Sequence, residues 1–193
     1  GGVLGNDGTK DYGKILVEDK LLMTEIRTAT AAGKHYTIRD KDSQQFFEVP
    51  SIEEVAEIES ALLPKLGALE SGIAFGANDE GKVRVSKVIE GDKVSVNLGL
   101  AHADNYNEGY ERALFDGHLH PIGDDPSPSI DKDLAIRLQR EKPEGLGLSR
   151  PSFVLGQINT YAKPWIEFYN GKGVVWSGRF SQLKKLSDKV HTQ

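Results

Sequence analysis

The sequence predicts an α+β domain over residues 50–193, sandwich-like, with a mixed β-sheet flanked by helices. An extended appendage over residues 1–49 precedes it. Three observations carry this expectation. A capped amphipathic stretch follows Pro50. Beyond residue 70 the hydrophobic period changes from helical to two. A second amphipathic stretch near 130–140 leads into three further apolar runs.

In the first fifty residues, short apolar bursts at Ile15-Leu16-Val17, His35-Tyr36-Thr37-Ile38 and Phe46-Phe47-Glu48-Val49 are punctuated by Gly and Asp. These read as short strands or extended pieces. Ser51, followed three residues on by Glu54, forms a capping-box signature. Ile52, Val55, Ala56, Glu59, Leu62, Leu63 and Leu66 keep helical spacing, and Pro64 and Gly67 end that helix. Ile73-Ala74-Phe75 reads as a buried strand; Val83, Val85 and Val88 suit another, and Val94, Val96, Leu98 and Leu100 alternate as a third. The turns Asn78–Gly81 and Glu90–Asp92 separate them as hairpin loops. Residues 103–111 are polar and loop-like, and residues 113–120 return to a strand. Ile130, Leu134 and Leu138 define a short helix. Ser152–Leu155, Trp165–Tyr169 and Val174–Trp176 supply three more strands, with a small helix near 181–187. Phe168, Tyr169 and both tryptophans, Trp165 and Trp176, are assigned to the core, and Lys184-Lys185 to an exposed helix face.

Composition narrows the chemistry. The chain has 193 residues and a net charge of −5, which argues against a phosphate-tracking nucleic-acid surface. No apolar run approaches the roughly 18 residues that span a bilayer, so membrane insertion is not expected. There is no cysteine, which excludes disulfides, thiolate metal sites and a cysteine nucleophile. Any metal site must therefore use nitrogen and oxygen ligands from the five histidines and the carboxylates. His35 sits among polar residues of the appendage, His102 in a loop and His191 in the tail, and each is read as structural or solvated.

His118 and His120 stand apart. On a strand, side chains alternate, so these two imidazoles project from one face and can share a metal. A carboxylate at Asp131 would complete three ligands, the number a catalytic zinc site takes together with water. Such a site needs a general base, and Glu70 is the upstream candidate. From spacing alone, Glu70 is better read as a solvated residue at a helix–strand junction. Asp116 reads either as an outer partner of one histidine or as a turn residue.

These residues resemble the JAB/JAMM (MPN-like) metallopeptidases, whose pattern is a Glu on the first strand, then His-x-His-Pro, then a Ser and an Asp at the start of the next helix. Glu70-Ser71-Gly72-Ile73-Ala74-Phe75-Gly76 is similar to the opening strand, and His118-Leu119-His120-Pro121 matches the core. The run from Gly123 to Ser129 is similar to the RadC-type and bacterial-toxin branches. The resemblance implies zinc held by His118, His120 and Asp131, with Glu70 activating zinc-bound water and Ser129 helping to stabilise the oxyanion. Two departures stand out. The position three residues before Asp131 is Pro128, so either Ser127 or Ser129 takes the serine role. Asp133, which precedes Leu134, is a rival third ligand, with Asp131 preferred on total spacing.

Asp-Gly-His-x-His also looks like the opening metal motif of amidohydrolases. Those barrels need roughly 200 or more residues beyond it, and the chain ends at Gln193 with His191 as its sole later histidine. Within the resembled fold the alternatives are a housekeeping isopeptidase or processing peptidase, and a metal-free scaffold. The scaffolds usually lose the His pair or the Asp. The N-terminal run from Gly5 to Lys10, with Gly13-Lys14-Ile15-Leu16-Val17, resembles the junction after the core of Rhs-repeat polymorphic toxins. That resemblance implies an exported effector acting on a protein or peptide in a target-cell cytoplasm, opposed by a cognate immunity protein. No signal peptide is visible in residues 1–8.

Overall fold

Two sheets and five helices make up the described part of the computed structural model, which comprises residues 2–4, 13–34, 44–124, 133–141 and 145–192. The N-terminal region is a small antiparallel sheet in the order β1 (Gly2–Leu4), β2 (Lys14–Val17) and β3 (Phe46–Val49). Between β2 and β3 runs helix α1 (Lys20–Ala31), where only extended pieces were expected. Its apolar residues crowd into the first half, Leu21 to Ile26, and the rest is Arg, Thr and Ala, so no long periodic stripe announces it. Its start is marked: the Asp19 side chain accepts from the Leu22 N–H at 2.8 Å. Leu22, Met23 and Ile26 then pack on Val17 and Phe46.

The appendage is joined to the domain through β3. Phe47 and Val49 belong to the main core, and the Phe47 ring stacks on Trp176 with centroids 5.5 Å apart. The expected boundary between residues 49 and 50 thus falls beside a shared core. Beyond it, α2 (Ile52–Leu62) opens with the anticipated capping box, Ser51 with Glu54, and closes in a 3-10 turn at Leu63–Lys65.

The main sheet contains β4 (Ser71–Ala77), β5 (Val83–Val85), β6 (Ile89–Glu90), β7 (Arg112–Leu119), β8 (Ser152–Gly156), β9 (Trp165–Asn170) and β10 (Gly173–Arg179). Its order is β10-β9-β8-β7-β4-β5, with β6 also on β4. All pairs are antiparallel except β7 with β8. Helices α3 (Leu98–Asn107), α4 (Asp133–Glu141) and α5 (Phe180–His191) complete the domain. The fold is α+β, as the sequence predicts.

Alternation divides the sheet into two unlike faces. Register sets Phe75 beside Phe115, Ile73 beside Gly117, Phe153 beside Gly117 and Phe168 beside Phe153. These residues share a face with Leu119, Leu155 and Ile166, and α2 and α5 cover it with Val55, Ile58, Leu62 and Leu183. Each buried Phe or Leu there contributes about 1.5–3 kcal/mol. The opposite face carries Asp116, His118 and Ser152, and α3 and α4 supply His102, Asn105, Arg137 and Arg140 to it.

Helix α3 occupies residues expected as the end of a strand and a loop. Val94, Val96, Leu98 and Leu100 do alternate, but Asn97 caps a helix there, accepting from Gly99 N–H at 3.1 Å. The buried residues of α3 are Leu98, Ala101, His102 and Asn105, which form no apolar stripe because they lie on the polar face of the sheet. Gly72 admits this helix, since a Cβ there would run into Leu98 Cδ2.

Candidate metal centre

The antiparallel pairing of β4 with β7 brings the start of one strand to the end of the other. Ser71 pairs with Leu119 and Gly72 with His118, so one step further Glu70 stands across from position 120. Residues opposite one another share a face, which puts Glu70, His118 and His120 on one side. One ligand atom from each lies within 4.8 Å of those from the other two. The imidazole centroids are 5.0 Å apart. Glu70 and His118 are buried and His120 is half-buried, so the group sits at the sheet's margin with one side open.

Backbone hydrogen bonds fix each contributor. The Glu70 N–H donates to Asp92 O at 2.7 Å, and Glu70 O accepts from Gly91 N–H at 2.9 Å. His120 N–H donates to Leu155 O at 2.8 Å, tying the second histidine to β8. The chain leaving it is held by Ile122 N–H to Gly67 O, 2.7 Å, and Gly123 N–H to Gln157 O, 3.0 Å. Glu70, read from spacing alone as solvated, is instead 7% exposed. Two imidazoles and a carboxylate are a nitrogen–oxygen donor set of the kind that binds a transition-metal ion. The group could hold a metal ion.

Next along β7, Asp116 is 0% exposed and lies within the strand, not in a turn. Its carboxylate accepts from His102 Nε2 at 2.9 Å, from Arg140 Nη1 at 2.8 Å and from the Ser152 hydroxyl. Burial alone would push this carboxyl up, but the His102 hydrogen bond, the Arg140 and His102 charges and the Ser152 hydroxyl outweigh it. They hold the group well below the usual carboxylate range. Asp116 partners His102, outside the His118/His120 pair. His102, expected in a loop, is a buried residue of α3. His191 bonds Val49 O at 3.1 Å, a structural role.

The hub of Asp116 with His102, Arg140 and Ser152 was not anticipated as a unit. Its one sequence signal is parity: Asp116 shares the even-numbered face with His118 and His120. Ser127, Ser129, Asp131 and His35 lie outside the described residues, while Asp133 is the first residue of α4.

A cleft of about 1260 Å³ lies elsewhere, lined by Glu54, Phe75, Arg84, Leu114 and Arg150, with none of the three candidate ligands. Arg150 there donates to both Glu54 oxygens, at 2.7 and 2.8 Å, and covers the Phe115 ring at 4.4 Å. That arrangement ties α2 to the sheet, which is a structural task. Among the described residues no helix is long and apolar enough to cross a membrane. Comparison of the chain with protein-family models, with curated proteins and with solved structures found no match.

Proposed function

We propose that this chain is a zinc-dependent hydrolase of peptide or isopeptide bonds, similar to the JAMM metallopeptidases. The observation that carries the reading is the convergence of Glu70, His118 and His120 from two separate strands. His118 and His120 would hold the ion, with Asp131 as the third ligand and Asp133 its rival. Zinc bound there supplies Lewis acidity toward water and an amide carbonyl.

The protein's own groups do the rest. The Glu70 carboxylate, fixed by its backbone bonds to residues 91 and 92, accepts a proton from water and returns it to the leaving amine. Ser129, or Ser127 beside it, donates to the developing oxyanion. Glu70 and His118 are buried and His120 is half-buried, which leaves the group one open side for a substrate. In biological terms we read the chain as an effector domain exported within a larger protein and acting in a target-cell cytoplasm, with a cognate immunity protein as partner. The N-terminal resemblance to an Rhs junction supports that part alone.

Metal analysis of protein purified without chelator is expected to give about one zinc per chain, lost in His118→Ala. A value near zero would favour the scaffold alternative. Cells expressing the wild type should show new protein N-termini that are absent with Glu70→Ala; equal termini in both would count against proteolysis. Growth inhibition by the wild type, relieved by Glu70→Ala, separates an effector from a housekeeping peptidase.

A further inference from the structure

Several strand ends meet at the margin that carries Glu70, His118 and His120. Strands β7 and β8 run parallel and finish there together, with Leu119 beside Leu155. β4 starts there beside the end of β7, and β6 finishes against the first residues of β4. Across the sheet the order is therefore β8, β7, β4, β6, so the group on β7 and β4 is flanked by the loops that leave β8 and β6.

Main-chain bonds tie both loops to the group. Asp92, whose carbonyl accepts from Glu70 N–H, stands two residues before Val94. Leu155, whose carbonyl accepts from His120 N–H, stands three residues before Ile158. Gly123 N–H to Gln157 O adds a second tie on that flank, and Gln157 Nε2 closes the loop by donating to Ala162 O at 2.6 Å. Leu69 immediately precedes Glu70.

These loops carry apolar side chains in water. The four most exposed large apolar residues described are Tyr161 at 96%, Leu21 at 83%, Val94 at 72% and Ile158 at 63%, and three of them are here. Leu69 adds a fourth, nearly half exposed. Apolar residues scattered singly over a surface are ordinary, whereas a group of them beside polar functional residues marks a contact surface. The turns are already ordered: Asp92 Oδ1 accepts from Val94 and Ser95 N–H, and Asn159 Oδ1 from Tyr161 and Ala162 N–H. Contact there costs little further ordering of the loops. Three strand spacings separate β8 from β6, about 14 Å, which is the reach of about four extended residues.

We propose that Leu69, Val94, Ile158 and Tyr161 form the specificity surface of this site. Its substrate is an extended protein segment with large apolar side chains within about two residues on each side of the bond cut. This rests on the hydrolase reading above and names the substrate class for it.

The test supplies the full chain with zinc and a peptide library made from a digested cell lysate, and reads the new ends by mass spectrometry. Wild type, Glu70→Gln, the double variant Val94→Ser/Ile158→Ser and the control Leu21→Ser are compared, with the fold followed by far-UV circular dichroism. Wild type is expected to enrich Leu, Ile, Phe and Tyr within two residues of the cut bonds. Toward the best such peptide, kcat/KM should fall about tenfold or more in the double variant, the usual scale for losing one apolar contact. Toward the same peptide with serine at those positions it should stay within about twofold, and Leu21→Ser should match wild type on both. Should the double variant lose its fold, Tyr161→Ser alone carries the comparison. No cuts by wild type, or the same cuts by Glu70→Gln, sink the hydrolase reading and this inference with it. Cuts that need Glu70 but show no apolar enrichment, or an enrichment that the rim variants keep in full, overturn the specificity surface alone.

Discussion

On β7, the odd-numbered Phe115 and Leu119 enter the apolar core at 1% and 0% exposure, while the even-numbered Asp116 and His118 are buried almost as deeply, at 0% and 5%, on the other face. One strand therefore makes two interiors. The first is held by area: six phenylalanines and their aliphatic neighbours need only shape and volume to agree. The second is held by pairing, since each buried polar group there needs a partner of the right geometry. Area tolerates substitution with a graded cost, and pairing does not. The face built by pairing is the one that can hold directional chemistry.

The comparison can be broken most sharply at Glu70. On the proposed reading Glu70 is the base, so Glu70→Gln, which keeps volume and hydrogen bonding, is expected to lower amide hydrolysis by about 10²–10⁴-fold. Its urea midpoint should barely move; unchanged turnover would mean the polar face has another purpose. Phe153→Ala on the opposite face should do the reverse, costing about 3–5 kcal/mol of stability in denaturant titrations. If the proposed zinc site exists, zinc binding by the folded fraction should survive it. A smaller loss is expected from Gly117→Ala, whose new Cβ would meet the Phe153 ring, at about 1–3 kcal/mol for overpacking. A stability gain there would show that the apolar face is less tightly filled than its register implies.

The pH response sharpens the polar side. Because the Asp116 carboxyl is held below its ordinary range in the folded protein, its stabilisation is complete above the unfolded value near ~3.9 and lost as pH falls below it toward the folded value. The acid limb of the wild-type stability curve should therefore be steeper than that of Asp116→Asn; equal limbs would place the acid sensitivity elsewhere. Least of all should come from the surface. Lys184 meets Glu59 at 2.7 Å, but both side chains are more than a third exposed, so Lys184→Ala should cost under about 1 kcal/mol.

The apolar face was legible in advance because burial against α2 and α5 writes itself as periodicity. Ile73, Phe75, Phe153 and Leu155 stand where alternation put them. The polar face was legible only at His118 and His120, where two uncommon residues share a parity. Helix α3 went unread because it meets polar groups with His102 and Asn105, leaving no stripe to detect. The partnership of Asp116 with Arg140 joins residues 24 apart through a crossover, and no local pattern records such a pairing. Glu70 was found by resemblance alone; its burial depends on the 91–92 turn, a contact that spacing does not encode.

The parallel pairing of β7 with β8 also has a consequence in time. A parallel pair cannot close through a tight turn; the chain from residue 120 to 151 must first complete its crossing. Contacts with such separation form slowly, because the loop's entropy is spent before any pairing compensates it. His120 takes its backbone anchor from Leu155 on β8. The histidine pair thus reaches its final spacing only once this late pairing is made, so a nascent or partly unfolded chain lacks the assembled group and gains it as the sheet is finished.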